Sequence, residues 1–237
     1  MPIYKIKLID RKTIAHNTIE FIFEKPTDFT FLPGQYGGFT LINMKGLDPR
    51  DSIRRFSLVS APHDAHLVMT TRIQTSIYKH HLDQLAINDE MKLAGPMGNF
   101  TLHDDARVPA VFIAGGIGIT PFYSMIRHTL HQGSQQQLIL FYGNQRIEDA
   151  PYFLELQQLA KHHSNFRFVP TLAQPEQDWQ GATGFIDATL LKKHIDHLME
   201  PIYYICGSPN MVNALHHVLK QLHIPEEKIK IEDFPGY

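Results

Sequence analysis

The segment VFIAGGIGITPF, residues 111–122, concentrates residue types that suit one task. An apolar run ends in Gly115, Gly116 and Gly118, and Thr120 and Pro121 follow where a helix opens. Glycines permit a tight turn and close backbone approach, and a helix start offers unpaired N–H groups to a phosphate or amide. Pro121 suits the first helical turn because its missing N–H leaves nothing unsatisfied there. A lone glycine cluster after a strand fits a plain structural turn equally well. A second segment, YYICGSPNMV at 203–212, repeats the logic. Cys206 and Gly207 close an apolar run, Ser208 and Pro209 begin a helix, and Met211 falls in its first turn. Ligands bind beyond the carboxyl ends of parallel strands, so two such ends in one sheet point to a dinucleotide. Neither segment holds GxGxxG or a P-loop lysine, which argues against ordinary Rossmann phosphate binding and against ATP hydrolysis.

The elements that must position these turns follow from hydrophobic rhythm. From residue 109 onward the chain alternates strand and helix. Strands are predicted at 110–114, 138–142, 166–172, 202–205 and 229–231, and helices at 121–130, 152–162, 188–195 and 211–222. Nearly all-apolar strands spaced by single helices fit a five-stranded parallel sheet buried on both faces. The first hundred residues read differently. Ile3 to Ile9 alternates, Ile19, Phe21 and Phe23 alternate with their neighbours, and Pro33-Gly34 supplies a turn before the segment 39–42. Two further strand segments, a short helix at 77–85 and a last strand segment near 90–100 complete the pattern of a six-stranded antiparallel barrel. The change falls in TLHDDARVP, residues 101–109, so two domains are expected, 1–104 and 105–237.

Composition bounds what such a chain contains. Its 237 residues allow one large domain or two small ones, and 43% hydrophobic content excludes a disordered chain. With 22 Lys+Arg against 24 Asp+Glu, the net charge of −2 argues against extensive nucleic-acid binding. A single cysteine excludes an internal disulfide framework and a four-cysteine iron–sulfur or zinc site. No stretch approaches the roughly 18 apolar residues of a membrane span, and the N-terminus lacks a signal-peptide pattern. A soluble cytoplasmic protein is expected. The fifteen histidines suggest no metal site: 80–81, 162–163 and 216–217 are adjacent pairs that cannot share a helix face. His194 and His197 lack an evident third ligand.

Taken in order, RRFS (54–57), MTTRIQTSIYKHHLDQL (69–85), AGGIGITP (114–121), YGNQRIEDAPYFLEL (142–156), WQGATGFID (179–187), ICGSPNMV (205–212) and EDFPGY (232–237) resemble the motifs of one family. It is the ferredoxin–NADP⁺ reductase superfamily of flavoproteins, which includes the bacterial flavin reductases. The resemblance covers nearly the whole chain. It implies a flavin-binding antiparallel barrel followed by a nicotinamide-binding α/β domain, with FAD (FMN is the alternative) exposed at their junction.

The resemblance assigns roles residue by residue. Arg54 matches the arginine that contacts flavin phosphate, consistent with the guanidinium fork. Arg55 alternates to the opposite face and is expected in solvent. Phe56 stands where many relatives have tyrosine and keeps a ring contact without the hydroxyl. Ser57 matches the hydroxyl near the hydride-accepting nitrogen of the flavin. Arg72, Thr75 and Ser76 resemble a second phosphate-gripping segment, to which Thr71 contributes through its backbone, although Ser76 is equally a helix cap. Asn88 replaces a common glycine and tolerates a left-handed turn. Gly115, Gly116, Gly118, Thr120, Pro121, Gly207 and Met211 fall in the nicotinamide motifs. Cys206 matches a cysteine close to the ring's reactive carbon, in a positioning and not a nucleophilic role. Glu232 resembles a late acidic residue at the active site, and Phe234 or Tyr237 a terminal aromatic that covers the flavin. Coenzyme choice rests on Asn144, Gln145 and Arg146: Arg146 suits a 2′-phosphate, Gln145 a plain ribose, so NADPH and NADH both stand. With no internal iron–sulfur domain, electrons must leave to a separate acceptor such as ferredoxin or flavodoxin. A monomer is expected. Two other readings remain: a reductase of free flavin, and a non-catalytic redox-coupling module of a larger complex.

Overall fold

The computed structural model describes residues 2–42, 48, 51–74 and 76–233. Strands β1 (Ile3–Ala15), β2 (Thr18–Glu24), β3 (Tyr36–Leu41), β4 (Ile53–Ser57), β5 (His66–Arg72) and β6 (Glu90–Met97) form one antiparallel sheet in the order β4-β3-β6-β1-β2-β5. Beyond the end of β4 the Val59 N–H donates to the Val68 carbonyl of β5 at 2.9 Å, which brings the two edge strands together and closes the barrel. Alternation aims Ile6, Leu8, Phe21, Phe23, Phe39 and Met69 inward, all nearly inaccessible. Each such side chain contributes about 1.5–3 kcal/mol of transfer free energy. Helix α1 (Ile77–Asp83) covers one end: Tyr78 and Leu82 are buried, and the Tyr78 hydroxyl donates to the Phe39 carbonyl at 2.9 Å. Asn88 takes the expected left-handed turn, with φ of 76°.

The second half is a parallel sheet between helix layers. Its strands are β7 (Ala110–Gly115), β8 (Leu138–Asn144), β9 (Phe166–Leu172), β10 (Ala182–Thr183), β11 (Ile202–Gly207) and β12 (Ile229–Asp233), in the order β10-β9-β8-β7-β11-β12. The five predicted strands are present, and β10 is a sixth. Two residues flanked by Gly181 and Gly184 are too short to show any hydrophobic period, which is why the sequence hides it. Helices α2 (Ile119–His131), α3 (Phe153–His162), α4 (Ala188–His194) and α5 (Pro209–Gln221) connect them. Helix α3 begins one residue later than predicted because Tyr152 takes φ of 61°. Apolar groups fill both faces of the sheet, Phe112, Leu140 and Tyr142 on one and Val111, Ile113 and Phe141 on the other. No helix among the described residues is long and apolar enough to cross a membrane.

The halves meet along a polar seam. Arg127 of α2 makes a two-pronged ion pair with Asp64, at 2.6 and 2.9 Å, and the Ser124 hydroxyl donates to the Ser60 carbonyl at 2.7 Å. Beside them the ring of His63 stacks on His131, centroids 3.7 Å apart, and lies 5.8 Å from His128. Burial lowers the pKa of His63 and of His128; at His63 the Asp64 carboxylate opposes it, while the His131 imidazole, Arg127 and Lys25 add to it. A histidine held neutral in the fold binds fewer protons there than when unfolded, so its stabilising contribution is complete above the ordinary value of 6.5. It is lost as pH falls through the lower folded value. The wild-type thermal midpoint should therefore drop more steeply between pH 7.5 and 5.5 than that of His63→Asn. Parallel curves for the two proteins would contradict this.

Candidate functional site

A cleft of about 920 Å³ lies on the seam, its walls drawn from β3–β6, α1, the turn after β7 and the end of β12. From the first half come Arg54, Phe56, Ser57, Thr71, Arg72 and Ser76, all six being predicted site residues; from the second come Thr120 and Glu232. Residues distant in sequence are thus brought to one surface. Edge strand β4 supplies RRFS at one end of the barrel sheet, β5 supplies Thr71 and Arg72 at the other, and barrel closure sets them side by side.

One part of this wall is cationic. The Arg54 guanidinium donates to the Ile53 carbonyl at 2.8 Å, lies 3.4 Å from the Asp51 carboxylate and stacks 5.6 Å from the Tyr78 ring. Arg72 reaches the Asp149 carbonyl at 3.3 Å while its buried Nε has no partner among the described residues. Lys79, on the first turn of α1, completes the group. Its pKa is lowered by burial and by the Arg72 and Arg54 charges. Lys79 escaped the sequence reading, although a lysine three residues after the Ser76 cap is an unusual charge for the start of a helix. Three like charges on one cleft wall favour an anion, and a diphosphate matches both the charge and the unused N–H donors. Arg55 is exposed, as expected, and it also borders the cleft, its guanidinium 5.8 Å from the Tyr36 ring.

The rest of the wall holds buried polar atoms awaiting partners. Ser57 is 4% exposed and its hydroxyl has no hydrogen bond among the described residues. Glu232 Oε2 is likewise buried and unpaired among the described residues; burial, then the Asp233 charge, pushes its carboxyl up to about 7. Unsatisfied buried groups cost about 1–3 kcal/mol each, so their persistence fits a bound molecule with complementary atoms. Phe56 packs 5.9 Å from both Phe39 and Tyr78 and offers an apolar edge. The cradle therefore fits FAD: cations for the diphosphate, an apolar and aromatic wall for the ring, and a hydroxyl and a carboxyl beside it.

The nicotinamide motifs are placed differently. Gly116 has φ of 51° in a short 3₁₀ turn, and the Tyr142 hydroxyl donates to its carbonyl at 3.1 Å. An ideal Cβ on Gly118 would lie 2.4 Å from the Cys206 carbonyl oxygen, so the turn after β7 packs directly on the end of β11. Gly118→Ala should lower stability by about 1–3 kcal/mol and raise the KM for nicotinamide coenzyme. An unchanged melting temperature and KM would show that the two strand ends do not need this contact. Thr120 is buried and donates to the Ile117 carbonyl at 3.0 Å; Pro121 is buried behind it. Met211 lies over Gly115 and Gly207, where a Cβ would meet its sulfur at 2.1 and 3.0 Å. Cys206 is fully buried in the sheet core, in register with Ala114 and Glu232, and does not line the cleft. Burial, then Glu232 and Asp233, pushes its thiol up, which leaves it protonated and non-nucleophilic.

Asn144, Gln145 and Arg146 lie at the carboxyl end of β8, outside the cleft. Arg146 is exposed, donates to Gln174 at 3.3 Å and sits 3.6 Å from Glu148. Thr75, Phe234 and Tyr237 lie outside the described residues. Tyr36, Thr70, Met97 and Asp233 also line the cleft and were missed. Among the described residues no group of three or more potential ligands could hold a metal ion.

Residues 5–102 match the model of the oxidoreductase FAD-binding domain, and residues 112–217 that of the oxidoreductase NAD-binding domain. One subunit of the Na(+)-translocating NADH-quinone reductase of Serratia proteamaculans is 28% identical over 240 residues, 94% of this chain, and the chain spans 58% of that relative's length. The flavohem-like FAD/NAD binding domain of nitric oxide dioxygenase from Vibrio cholerae shares the fold with a TM-score of 0.85 at 20% identity, covering 97% of this chain and 98% of that one. A ferredoxin NADP+ reductase from Neisseria gonorrhoeae, solved with bound FAD and NADP, gives 0.80 at 22% identity, with 98% and 97% covered. The chain thus carries an oxidoreductase FAD-binding domain followed by an oxidoreductase NAD-binding domain, the two-domain arrangement of the flavoprotein oxidoreductases, and shares its fold with a ferredoxin NADP+ reductase.

Proposed function

We propose that the protein takes hydride from NAD(P)H onto FAD held in the seam cleft and releases electrons to a separate acceptor such as ferredoxin or flavodoxin. The supporting observation is the cleft itself, where three cations on the first domain share a wall with the unpartnered Ser57 and Glu232 groups. When bound, FAD supplies the step from two-electron to one-electron chemistry. In this reading the domains divide at 104/105, and the protein works as a cytoplasmic monomer.

The chain's own residues have distinct tasks. Arg54, Arg72, Lys79 and Ser76 hold the diphosphate; Thr71 and Phe56 hold the ring and its chain. Ser57 directs its free hydroxyl at the reacting edge. The glycine turn at 115–118, Thr120 and Pro121 shape the floor for the nicotinamide, and Met211 and Gly207 close its far side. Cys206 is a positioning residue beneath that floor, packed under Gly118 and beside Glu232. Asn144, Gln145 and Arg146 meet the coenzyme's ribose end, and Phe234 or Tyr237 covers the flavin.

Glu232 Oε2 exchanges a proton with the cleft. Oxidation of NAD(P)H by two one-electron carriers releases one proton overall. With its carboxyl at about 7, the deprotonated Glu232 accepts that proton and passes it to solvent, so turnover should rise as pH passes upward through 7. Glu232→Gln should flatten the profile. A wild-type profile without an inflection between pH 6 and 8 would remove Glu232 from this role.

The name of the Serratia relative favours a second reading, in which this chain is the NADH-oxidising part of a larger electron-transfer assembly. Purification distinguishes the possibilities. Stoichiometric FAD through gel filtration, with NAD(P)H-dependent reduction of ferredoxin or flavodoxin, supports the proposal. Colourless protein that reduces added FMN or riboflavin supports a free-flavin reductase. FAD-loaded protein that reduces neither soluble carrier supports the assembly module.

A further inference from the structure

A hydrogen-bond chain crosses the seam and ends on the cleft wall. Glu20 and Thr70 face each other across the β2–β5 ladder, and Tyr152, at the start of α3 in the second domain, reaches both. Its hydroxyl donates to Glu20 Oε2 at 2.8 Å and lies 2.5 Å from Thr70 Oγ1. A tyrosine hydroxyl has one hydrogen. Burial, then the Glu20 charge, pushes the Tyr152 phenol well above its usual range, so that hydrogen stays in place. Since it is committed to the carboxylate, the hydrogen between Tyr152 and Thr70 comes from Thr70. The chain therefore runs in one direction, Thr70 to Tyr152 to Glu20. Tyr152 is braced in this pose by stacking on Tyr123 at 4.1 Å.

Direction has a chemical consequence. Thr70 is 3% exposed and lines the cleft. With its only hydrogen spent on Tyr152, its oxygen offers the cleft lone pairs alone. We propose that Thr70 is an acceptor-only group for the bound flavin, its polarity set from the second domain by Tyr152 and Glu20, and that it takes an N–H or O–H donor of that flavin. The donor is either the ring imide N–H or a ribityl hydroxyl. This inference rests on the flavin reading of the cleft. Tyr152 and Glu20 act through Thr70 and are positioning residues.

The test titrates the flavin-free full-length protein with FAD, with FAD methylated at the imide nitrogen and with FAD lacking the ribityl 2′-hydroxyl, following flavin fluorescence. One neutral hydrogen bond corresponds to a three- to tenfold change in affinity. Wild type should bind one analogue three- to tenfold more weakly than FAD. Thr70→Val should lose that discrimination, whereas Thr70→Ser, which keeps the hydroxyl, should retain it. Tyr152→Phe should weaken discrimination, because the Thr70 hydrogen is then free to turn into the cleft. Thr70→Val/Tyr152→Phe should be no worse than Thr70→Val alone, as expected for groups in one chain. The analogue that loses its penalty in Thr70→Val identifies the donor. Equal discrimination in wild type and Thr70→Val, for both analogues, would overturn the proposal. Failure of wild type to bind FAD itself would instead overturn the flavin reading.

Discussion

Ser57→Ala should slow flavin reduction by NAD(P)H by roughly tenfold to a hundredfold while leaving FAD content unchanged. The size follows from what small losses of alignment cost at a reacting centre, up to about a hundredfold for a displacement near 1 Å. The split between rate and binding follows from where Ser57 stands. Its hydroxyl is buried and bonds to nothing among the described residues, so no fold interaction seen there is lost when it goes. Removing an unsatisfied buried hydroxyl is neutral or slightly stabilising, so the FAD-free variant should melt at or above the wild-type temperature. A variant that melts lower, or that loses FAD in proportion to its rate, would make Ser57 a structural residue.

Arg54→Ala should do the reverse. FAD affinity should fall about ten- to a hundredfold, since charge-assisted hydrogen bonds to phosphate are worth about 1.5–3 kcal/mol. At saturating FAD the reduction rate constant should stay within about twofold of wild type. The existing partners of Arg54 give little reason to expect unfolding. Its ion pair with Asp51 is 3.4 Å long between side chains that are 41% and 54% exposed, a type of pair worth little in water. Raising salt should weaken FAD binding less in the variant than in wild type, because one phosphate contact is gone. Unchanged FAD affinity in Arg54→Ala would sink the assignment of the RRFS motif.

Much of the frame behind these predictions is legible in the sequence, for physical reasons. The inward alternation of Phe21 and Phe23 marks barrel strands, and the doubly buried run from Ala110 to Gly115 marks a central parallel strand. Glycine turns at strand ends carry steric meaning that survives without coordinates. Gly118 shows it most directly, since no side chain fits over the end of β11 there.

What the sequence hides is orientation and assembly. In a strand covered on both faces, apolarity does not say which way a residue points, so Cys206 reads as a cleft residue and is a core one. Arg55 is exposed, as alternation predicts, but alternation does not tell that β4 borders the cleft. Lys79, Thr70 and Tyr36 join the site only when the barrel closes. The stack of His63 on His131 and the link from Tyr152 to Glu20 connect the two domains, and no local pattern announces a partner more than sixty residues away.

Anaerobic stopped flow of the FAD-loaded protein, mixed in parallel with NADH and NADPH, tests the central claim most directly. The expected result is rapid bleaching of the flavin absorbance with at least one coenzyme, slowed in Ser57→Ala and preserved in FAD-saturated Arg54→Ala. Protein that holds one FAD per chain, yet stays oxidised with both coenzymes, would contradict the assignment of this cleft to hydride transfer.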